Sequence, residues 1–415
     1  MRARSLLICS FVLMISTGVS LAKTDAEWPQ WMGPERDGKS PDTGLLKEWP
    51  EGGPKLLWKA AGIGKGYSSV AVAGKVVYIT GDIGDDLVIT AFDMDGKEEW
   101  KVKHDRAWPG ENETWPGSRA TPTVDSGRLY ILSTHGLLGC YDAKRGKKKW
   151  TLDILKTFDR DKPPGYGYCE SLLIWKKLLI LTPGGKSCIT ALNPTSGKTV
   201  WTSSGLSDGA AYSSCVPIVY KNTPLILQVT GQGMVCISAK TGEFFWRNER
   251  VKGEARAVCS TPVYCDGYCF AASGYDNGGA CVKLDVKRGK IVGDQVWDTK
   301  DMVNHHGGYI IHEGHIYGNH AEGWSCLDLK TGEKKWFVKG VGKGSLCYAD
   351  GMLYLFGERD GKVGLLPAMP EEPQLKGEFK VDGEGKAWAH PVVIGGRLYL
   401  RYDDNLYVYD VSASP

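Results

Sequence analysis

DLKTGEKKW, residues 328–336, has the pattern of a strand end, a tight turn and the start of a new strand. Related stretches end at the same aromatic position at Trp100, Trp150, Trp201, Trp246 and, more loosely, Trp297. Trp58 and Phe379 occupy the equivalent position in two further copies. Neighbouring copies lie about 40 to 50 residues apart, a period that is typical of the blades of a β-propeller.

A second repeated element, a short hairpin, is predicted eight times along the chain. Six hairpins have a glycine where the turn needs a positive φ, at Gly74, Gly127, Gly267, Gly314, Gly351 and Gly396. The hairpins at 174–180 and 219–226 keep their apolar flanks without glycine. A third strand, a polar turn and a fourth strand with the aromatic residue follow. The sequence therefore predicts an all-β fold, an eight-bladed β-propeller of four-stranded antiparallel blades, each aromatic packing on the next blade.

The last predicted sheet, ending at residues 406–411, runs out of chain before its fourth strand. LLWK, residues 56–59, precedes the first hairpin and has no hairpin of its own. We expect this N-terminal strand to pair with the C-terminal strands and close the ring, which removes exposed sheet edges. The propeller is thus predicted over residues 54–415.

The N-terminal residues have the pattern of an export signal. Residues 1–22 combine Arg2 and Arg4 with an apolar run and end in Ser-Leu-Ala, as a secretory signal peptide does. Cys9 lies inside the apolar run, so no lipid anchor is predicted, and no later stretch has the length of a transmembrane segment. We expect a periplasmic or secreted protein, with residues 23–53 as an N-terminal extension of unassigned role.

Charge and cysteine content narrow the function classes. The chain has 51 Lys and Arg against 48 Asp and Glu, so its near-neutral balance does not indicate nucleic-acid binding. Cys140, Cys236 and Cys326 share a repeat position with Ala91 and Ala191, which predicts a small buried site rather than a redox role. A further pair, Cys265 and Cys269, flanks a tight turn, and the sequence leaves open whether they form a disulfide.

The repeat carries a family resemblance. The stretch from Ala191 to Trp201 resembles the tryptophan-docking repeat of the PQQ-like propellers, with Asn193 in place of the usual Asp. That group includes quinoprotein alcohol dehydrogenases and BamB-like assembly factors. The resemblance extends over about residues 54–412, and it is specific for fold but weak for function. A WD40 propeller is the alternative, but its signature dipeptide occurs once, at Trp297-Asp298.

The segments that lead into the innermost strands of a propeller converge on one face. From them we predict a polar funnel with ligand-binding candidates at Arg119, His135, Glu170, Lys186, Arg256, Asn277, His305, His306, His320, Trp388, His390 and Arg401. Two long loops, 103–119 and 153–170, are expected to form its rim and to bring Trp108 and Trp115 over it.

Five histidines between residues 304 and 320 suggest a metal site, but strand geometry argues against one. His306 and His320 are expected to be neighbours across the hairpin. His305 is expected on the opposite side of the strand, which leaves the pair without a third ligand. No metal site is predicted.

Three functions remain open at this point, and the sequence does not decide whether the protein is an enzyme. The first is a non-catalytic exported binding or scaffold protein for a partner protein, a small molecule or a saccharide. The second, implied by the resemblance, is a dehydrogenase using PQQ and calcium, with Glu170, Asp276 and Asn277 as conceivable calcium ligands. Against it, the Cys-Cys dipeptide that often stacks on the quinone is missing. The third is a polysaccharide-acting enzyme using His306, His390, Arg119 and Glu170. No cofactor is expected for the first.

Overall fold

The glycine turns and aromatic positions of the sequence correspond to eight repeated sheets in the structure. The structure is a computed structural model, and it describes residues 26–110, 112, 114–252 and 257–413. The first two strands are β1 (Lys39–Ser40) and β2 (Lys55–Ala61). Blade 1 contains β3 (Ala71–Ala73), β4 (Val76–Ile83), β5 (Asp86–Asp93) and β6 (Glu98–Arg106). Blade 2 contains β7 (Thr123–Asp125), β8 (Arg128–Leu132), β9 (Leu137–Asp142) and β10 (Lys148–Asp153), followed by helix α1 (Ile154–Thr157).

Blade 3 contains β11 (Leu173–Trp175), β12 (Leu178–Leu181), β13 (Thr190–Leu192) and β14 (Thr199–Thr202). Blade 4 contains β15 (Val216–Tyr220), β16 (Thr223–Thr230), β17 (Gly233–Ser238) and β18 (Phe244–Asn248). Blade 5 contains β19 (Val263–Cys265), β20 (Tyr268–Ser273), β21 (Gly278–Lys287) and β22 (Lys290–Thr299).

Blade 6 contains β23 (Tyr309–His312), β24 (His315–His320), β25 (Gly323–Asp328) and β26 (Lys334–Val338). Blade 7 contains β27 (Gly344–Ala349), β28 (Met352–Gly357), β29 (Lys362–Pro367) and β30 (Glu378–Lys380). Blade 8 contains β31 (Val392–Ile394), β32 (Arg397–Tyr402) and β33 (Asn405–Asp410), with β2 as its fourth strand. All eight predicted hairpins are present, and the all-β propeller prediction is confirmed.

The ring closes as the sequence predicted. Strand β2 pairs antiparallel with β33, and Trp58 lies opposite Val408 in this pairing. The N-terminal strand therefore supplies the outermost strand of the last blade, which joins the two ends of the chain in one sheet.

The outer-strand aromatic residues fix each blade to the next. The Trp100 ring of blade 1 covers Gly146 of blade 2 so closely that an added Cβ would meet the ring at 2.6 Å. The Trp100 indole N–H also donates to the Ala143 carbonyl of the same turn, at 3.2 Å. Phe379 covers Gly53 in the same way, at 2.5 Å from an added Cβ. The blades are thus joined by one ring and, at most junctions, one hydrogen bond.

The repeat position shared by alanine and cysteine is small and buried, as predicted. Cys140, Cys236 and Cys326 lie directly opposite Trp150, Trp246 and Trp336 in the strand pairing, and all three cysteines are 0% exposed. Cys265 and Cys269 are free thiols. Cys269 lies opposite Tyr264, so Cys265, one residue further along the strand, faces the other side of the sheet.

Residues 28–40, the N-terminal plug, cross the ring between opposite blades. Trp28 forms two backbone hydrogen bonds with Val72 of blade 1, both 2.8 Å long. Strand β1 within the plug pairs parallel with β27, the innermost strand of blade 7. Arg36 donates to the carbonyls of Ser171 and Leu172, which lead into blade 3. The plug therefore lies across the channel and closes it at one end.

Within the described ranges, no helix is both long enough and apolar enough to cross a membrane.

Candidate functional site

A cavity of about 220 Å³ lies on the channel axis, against the N-terminal plug. Seven of its lining residues are Trp or Tyr, namely Trp31, Tyr67, Trp115, Tyr166, Tyr212, Tyr275 and Trp388. Its polar lining includes Arg119, Ser171, Ser214, Cys169, Cys259, His305, His306 and His390. Most of these residues immediately precede the first strand of a blade, where the propeller geometry brings successive repeats together. We refer to this space as the aromatic cavity.

Stacked rings form one wall of the aromatic cavity. Tyr275 packs edge-on against His305, with ring centroids 4.7 Å apart, and His305 lies 3.7 Å from His306. His306 stacks on Trp388 at 4.2 Å, and Trp388 packs against Trp115 at 4.9 Å. The five rings come from four separate parts of the chain, and each restricts the rotation of its neighbours.

The N-terminal plug forms the closed end of the cavity through Trp31. Its ring packs against His390 at 4.6 Å, and its indole N–H donates to the Thr261 hydroxyl at 2.9 Å. The Nε2 of His390 in turn lies 2.8 Å from the His306 carbonyl, so this nitrogen carries the proton and donates. Blades 5, 6 and 8 and the plug are thus tied together at this point.

A charged pair behind the wall determines which nitrogen of His305 carries its proton. The Lys343 ammonium lies 3.2 Å from Nδ1 of His305 and 3.3 Å from the Glu358 carboxylate. Because an ammonium group only donates, Nδ1 must accept, and the neutral ring is protonated on Nε2. This Nε2 is buried, and it has no hydrogen-bond partner among the residues that the structure describes. Glu358 also accepts from the Trp388 indole N–H at 3.1 Å, which fixes the second ring.

Arg119 is the charged group of the described cavity lining. Its guanidinium lies over the Tyr67 ring, 4.9 Å from the centroid, and donates to the Trp115 carbonyl. Among the residues that the structure describes, no carboxylate pairs with Arg119, and the lining contains no Asp or Glu. Burial lowers the pKa of His305 and of His390 to about 4. At neutral pH the histidines are therefore uncharged, and the cavity carries the positive charge of Arg119.

Comparison with known proteins identifies the family. The family described as outer membrane protein assembly factor BamB matches residues 84–338, more than half of the chain. The chain belongs to this family. No curated protein sequence matches it significantly.

Solved structures resemble this BamB-family chain across most of its length. BamB from Moraxella catarrhalis is 17% identical, with a TM-score of 0.61, covering 86% of this chain and 99% of its own. The quinohemoprotein alcohol dehydrogenase from Comamonas testosteroni is 12% identical, with a TM-score of 0.65, covering 95% of this chain and 82% of its own. The computationally designed Ika8 protein is 10% identical, with a TM-score of 0.61, covering 86% of this chain and 100% of its own. At these identities the likeness shows the fold alone.

Five of the predicted site residues line the aromatic cavity of this BamB-family chain, namely Arg119, His305, His306, Trp388 and His390. Arg256 lies outside the described residues. The other six lie elsewhere, and we assign them no ligand contact. The loops expected at the rim contribute Trp115 and Tyr166 to the lining, whereas Trp108 packs against His135 at 4.9 Å.

Two of these six residues are buried and form structural hydrogen bonds inside the propeller. Glu170 is 2% exposed and accepts hydrogen bonds from the Thr182 amide at 2.6 Å and from Gln228 at 3.2 Å. Burial raises its pKa to about 7. Arg401 is also 2% exposed, and it donates to the Gly64 and Thr80 carbonyls at 2.6 Å, which joins blade 8 to blade 1.

The remaining four lie toward the surface. His135 bonds to the Ala107 carbonyl at 3.1 Å, and Asn277 accepts from Arg250 at 2.8 Å. Lys186 is exposed. The Nδ1 of His320 accepts from the Val303 amide at 3.0 Å.

The predicted arrangement of the histidines was wrong in one respect. His305 was expected on the side of the strand opposite His306, yet the two rings lie 3.7 Å apart. The alternation rule does not apply because β23 begins at Tyr309, beyond both residues. His306 packs on Trp388, while His320 packs on Phe337. The described part of the chain holds no group of three or more potential metal ligands.

The sequence interpretation did not identify Trp31, Tyr67, Cys169 or Cys259 as cavity residues. Tyr67 and Cys169 precede a first strand closely, so the rule that selected Arg119 applies to them too. Trp31 carried no such signal, because it lies in an extension without a repeat.

Proposed function

We propose that this chain is an exported, non-catalytic binding propeller whose aromatic cavity holds a ring-shaped anionic small molecule. The observation that carries the proposal is Arg119, whose guanidinium pairs with no carboxylate of the described residues and lies on the wall of a cavity lined mainly by aromatic and histidine rings. A ligand with flat apolar faces packs well against Trp and Tyr, and a carboxylate accepts strong hydrogen bonds from a guanidinium.

The polar side chains of the lining suit the same ligand. Besides Arg119, the lining contains the Ser171 and Ser214 hydroxyl groups and the His305, His306 and His390 rings. A ligand rich in acceptor oxygens accepts hydrogen bonds from groups of this kind. Pockets that bind small molecules combine such convergent polar groups with an apolar lining.

Binding is favoured over acid–base catalysis by the electrostatics of the cavity. A general acid or base works best with a pKa near the operating pH. Burial lowers the pKa of His305 and His390 to about 4 and that of His306 well below its usual value. Glu170, the carboxylate considered for this role, is hydrogen-bonded to Thr182 and Gln228 and does not line the cavity.

The residues present do not fit a calcium-bound PQQ. Calcium takes carboxylate and carbonyl oxygens, and the described cavity lining has no carboxylate. Of the ligands considered from the sequence, Glu170 accepts a hydrogen bond from the Thr182 amide, and Asn277 accepts one from the Arg250 guanidinium. We therefore infer no redox step.

Export and a protein partner are further parts of the proposal. The pattern of residues 1–22 supports passage through a membrane, after which the propeller would act in the periplasm or outside the cell. The description of the family as an outer membrane assembly factor supports a partner protein as well as a small ligand.

Tryptophan fluorescence tests the cavity directly, because Trp31, Trp115 and Trp388 line it. We expect D-galacturonate to change the emission saturably and D-galactose, its neutral analogue, to bind at least about tenfold more weakly. Arg119→Gln should remove this preference, while Arg145→Gln, at an exposed arginine, should leave it unchanged. No saturable response to galacturonate, or equal binding of both sugars, would overturn the proposal.

A further inference from the structure

A second cleft, of about 420 Å³, adjoins the aromatic cavity. The two spaces share Tyr67 and Trp115 in their linings. The second cleft is otherwise charged, with Lys65 and Lys386 on its walls together with Glu384 and Asp403. A ligand that fills the cavity and continues outward past Tyr67 and Trp115 therefore enters this cleft.

The four charged side chains of the second cleft are not paired with one another. No hydrogen bond or ion pair within the described chain engages the side chains of Lys65, Glu384, Lys386 or Asp403. The two ammonium groups are thus available to the acidic groups of a ligand. The two carboxylates are available to accept hydrogen bonds from its hydroxyl groups. Such mixed donors and acceptors suit polyhydroxylated rings better than an apolar chain.

Trp115, at the junction, is 41% exposed although it packs on Trp388. An exposed indole beside two ligand-sized spaces is a platform on which one more ring can stack. Tyr67, the other shared residue, already carries Arg119 over its face. The junction therefore offers both a stacking surface and a cation.

We propose that the aromatic cavity and the second cleft are adjoining subsites for one linear acidic oligosaccharide. Its terminal uronic acid would enter the cavity with its carboxylate toward Arg119, and the following units would pass over Trp115 into the second cleft. This inference rests on the proposed function, since it extends the ligand of the same cavity. Each uronic acid unit supplies a flat C–H face, hydroxyl groups and one carboxylate, which match the groups of both spaces.

Titration calorimetry of the full chain with galacturonate and its 1,4-linked dimer and tetramer tests the inference. A tetramer binding to a single subsite gains at most roughly fourfold from statistics, whereas a second stacked and hydrogen-bonded subsite adds about tenfold or more. We expect the tetramer to bind at least about thirtyfold more tightly than the monomer. Trp115→Ala should weaken binding of galacturonate, the dimer and the tetramer.

Variants separate the two subsites. Lys386→Ala should reduce the ratio of tetramer affinity to monomer affinity, whereas Lys186→Ala, at an exposed lysine outside both spaces, should leave this ratio unchanged. If the monomer binds but the tetramer binds no better than statistics allow, the inference fails while the proposed function stands. If neither binds, both fail. Equal binding of tetraglutamate, which carries carboxylates without sugar rings, would assign the site to acidic peptides and overturn the inference.

Discussion

At the scale of single residues, the interior of this propeller depends on buried charged groups that bridge the blades. Arg36 is 0% exposed, and it donates to the Ser171 and Leu172 carbonyls, both at 2.8 Å, and to Gln30 at 3.2 Å. Burial lowers its pKa to about 10, which still leaves the guanidinium charged at neutral pH. One side chain of the N-terminal plug thereby supplies hydrogen bonds to two backbone carbonyls that lead into blade 3, and these bonds fix the plug to that blade.

Arg36→Met should destabilise the protein by about 3–5 kcal/mol, because it leaves buried acceptors without a donor. The midpoint of urea unfolding measures the change. Arg145→Met, at an exposed arginine, should change the free energy of unfolding by no more than about 0.5 kcal/mol. Equal midpoints for the two variants would show that the plug is not held by Arg36.

Glu170→Gln should alter how stability depends on pH. Burial raises the pKa of Glu170 from 4.5 to about 7, so the folded protein retains a proton that the unfolded chain has already released. The stability contributed by this group is therefore complete below about pH 4.5 and is lost as the pH rises to about 7. Relative to Glu170→Gln, the wild type should lose roughly 2–3 kcal/mol over this window.

The measurement is urea unfolding of both proteins at several pH values. Glu48→Gln, at an exposed glutamate, is the matched control and should follow the wild type. A constant difference between wild type and Glu170→Gln across the window would contradict the raised pKa.

At the scale of elements, the turn between the third and fourth strands of each blade is shaped to receive the aromatic ring of the preceding blade. Gly146 has a φ of 65° and lies under the Trp100 ring. Gly127, in the hairpin of the same blade, has a φ of 71°, but an added Cβ there meets nothing within 4 Å. The two glycines share a conformation and differ in what covers them.

This difference gives a matched pair of substitutions in one blade. Gly127→Ala should cost about 1–2 kcal/mol, the price of a left-handed alanine. Gly146→Ala should cost about 1–3 kcal/mol more, because its Cβ would collide with the Trp100 ring, 2.6 Å away. Thermal unfolding of both variants measures the gap, and equal losses of stability would show that ring docking does not fix the turn.

Much of the fold could be predicted because it depends on local patterns that recur. The aromatic residues, the hairpin glycines and the unpaired stretch around Trp58 were sufficient for the blade number and for the closure. The two hairpins without glycine place Lys176, Lys221 and Asn222 at positive φ instead, which apolar flanks alone did not indicate. The repeat can be recognised in the sequence because every copy makes the same packing contact with the next blade.

The site was less predictable because its residues are brought together across the ring. The rule that segments before the first strands converge found Arg119, His306 and Trp388, and it gave no account of how the rings stack. Glu170 satisfied the same rule, yet its side chain turns into the core toward Thr182. Trp31 belongs to no repeat, so its position depended on the path of the plug.

At the scale of the whole molecule, the N-terminal plug converts an open channel into a cavity with one closed end. Trp28, Met32 and Arg36 are all less than 9% exposed, although they lie in an extension outside the blades. Their burial against the innermost strands of several blades adds contacts between blades that are not neighbours. The extension is thus part of the core and of the candidate site.

A chain that begins at Pro41 retains β2 and lacks the plug. It should unfold at a temperature at least about 5 °C below that of a chain beginning at Ala26, because it loses the burial of several large side chains. It should also lose the galacturonate response, since Trp31 no longer closes the cavity. Unchanged unfolding temperature and unchanged fluorescence titration would contradict both roles of the plug.

The seam between β2 and β33 places residues 55–61 beside residues 405–410, almost the full chain length apart. Contacts of such large sequence separation form late and slowly, because the entropy of bringing distant segments together must be overcome first. Until β33 has been synthesised, β2 has no strand with which to pair. A prematurely terminated product would therefore stay open to proteases and to aggregation, so that completion of synthesis itself becomes the condition for a durable molecule.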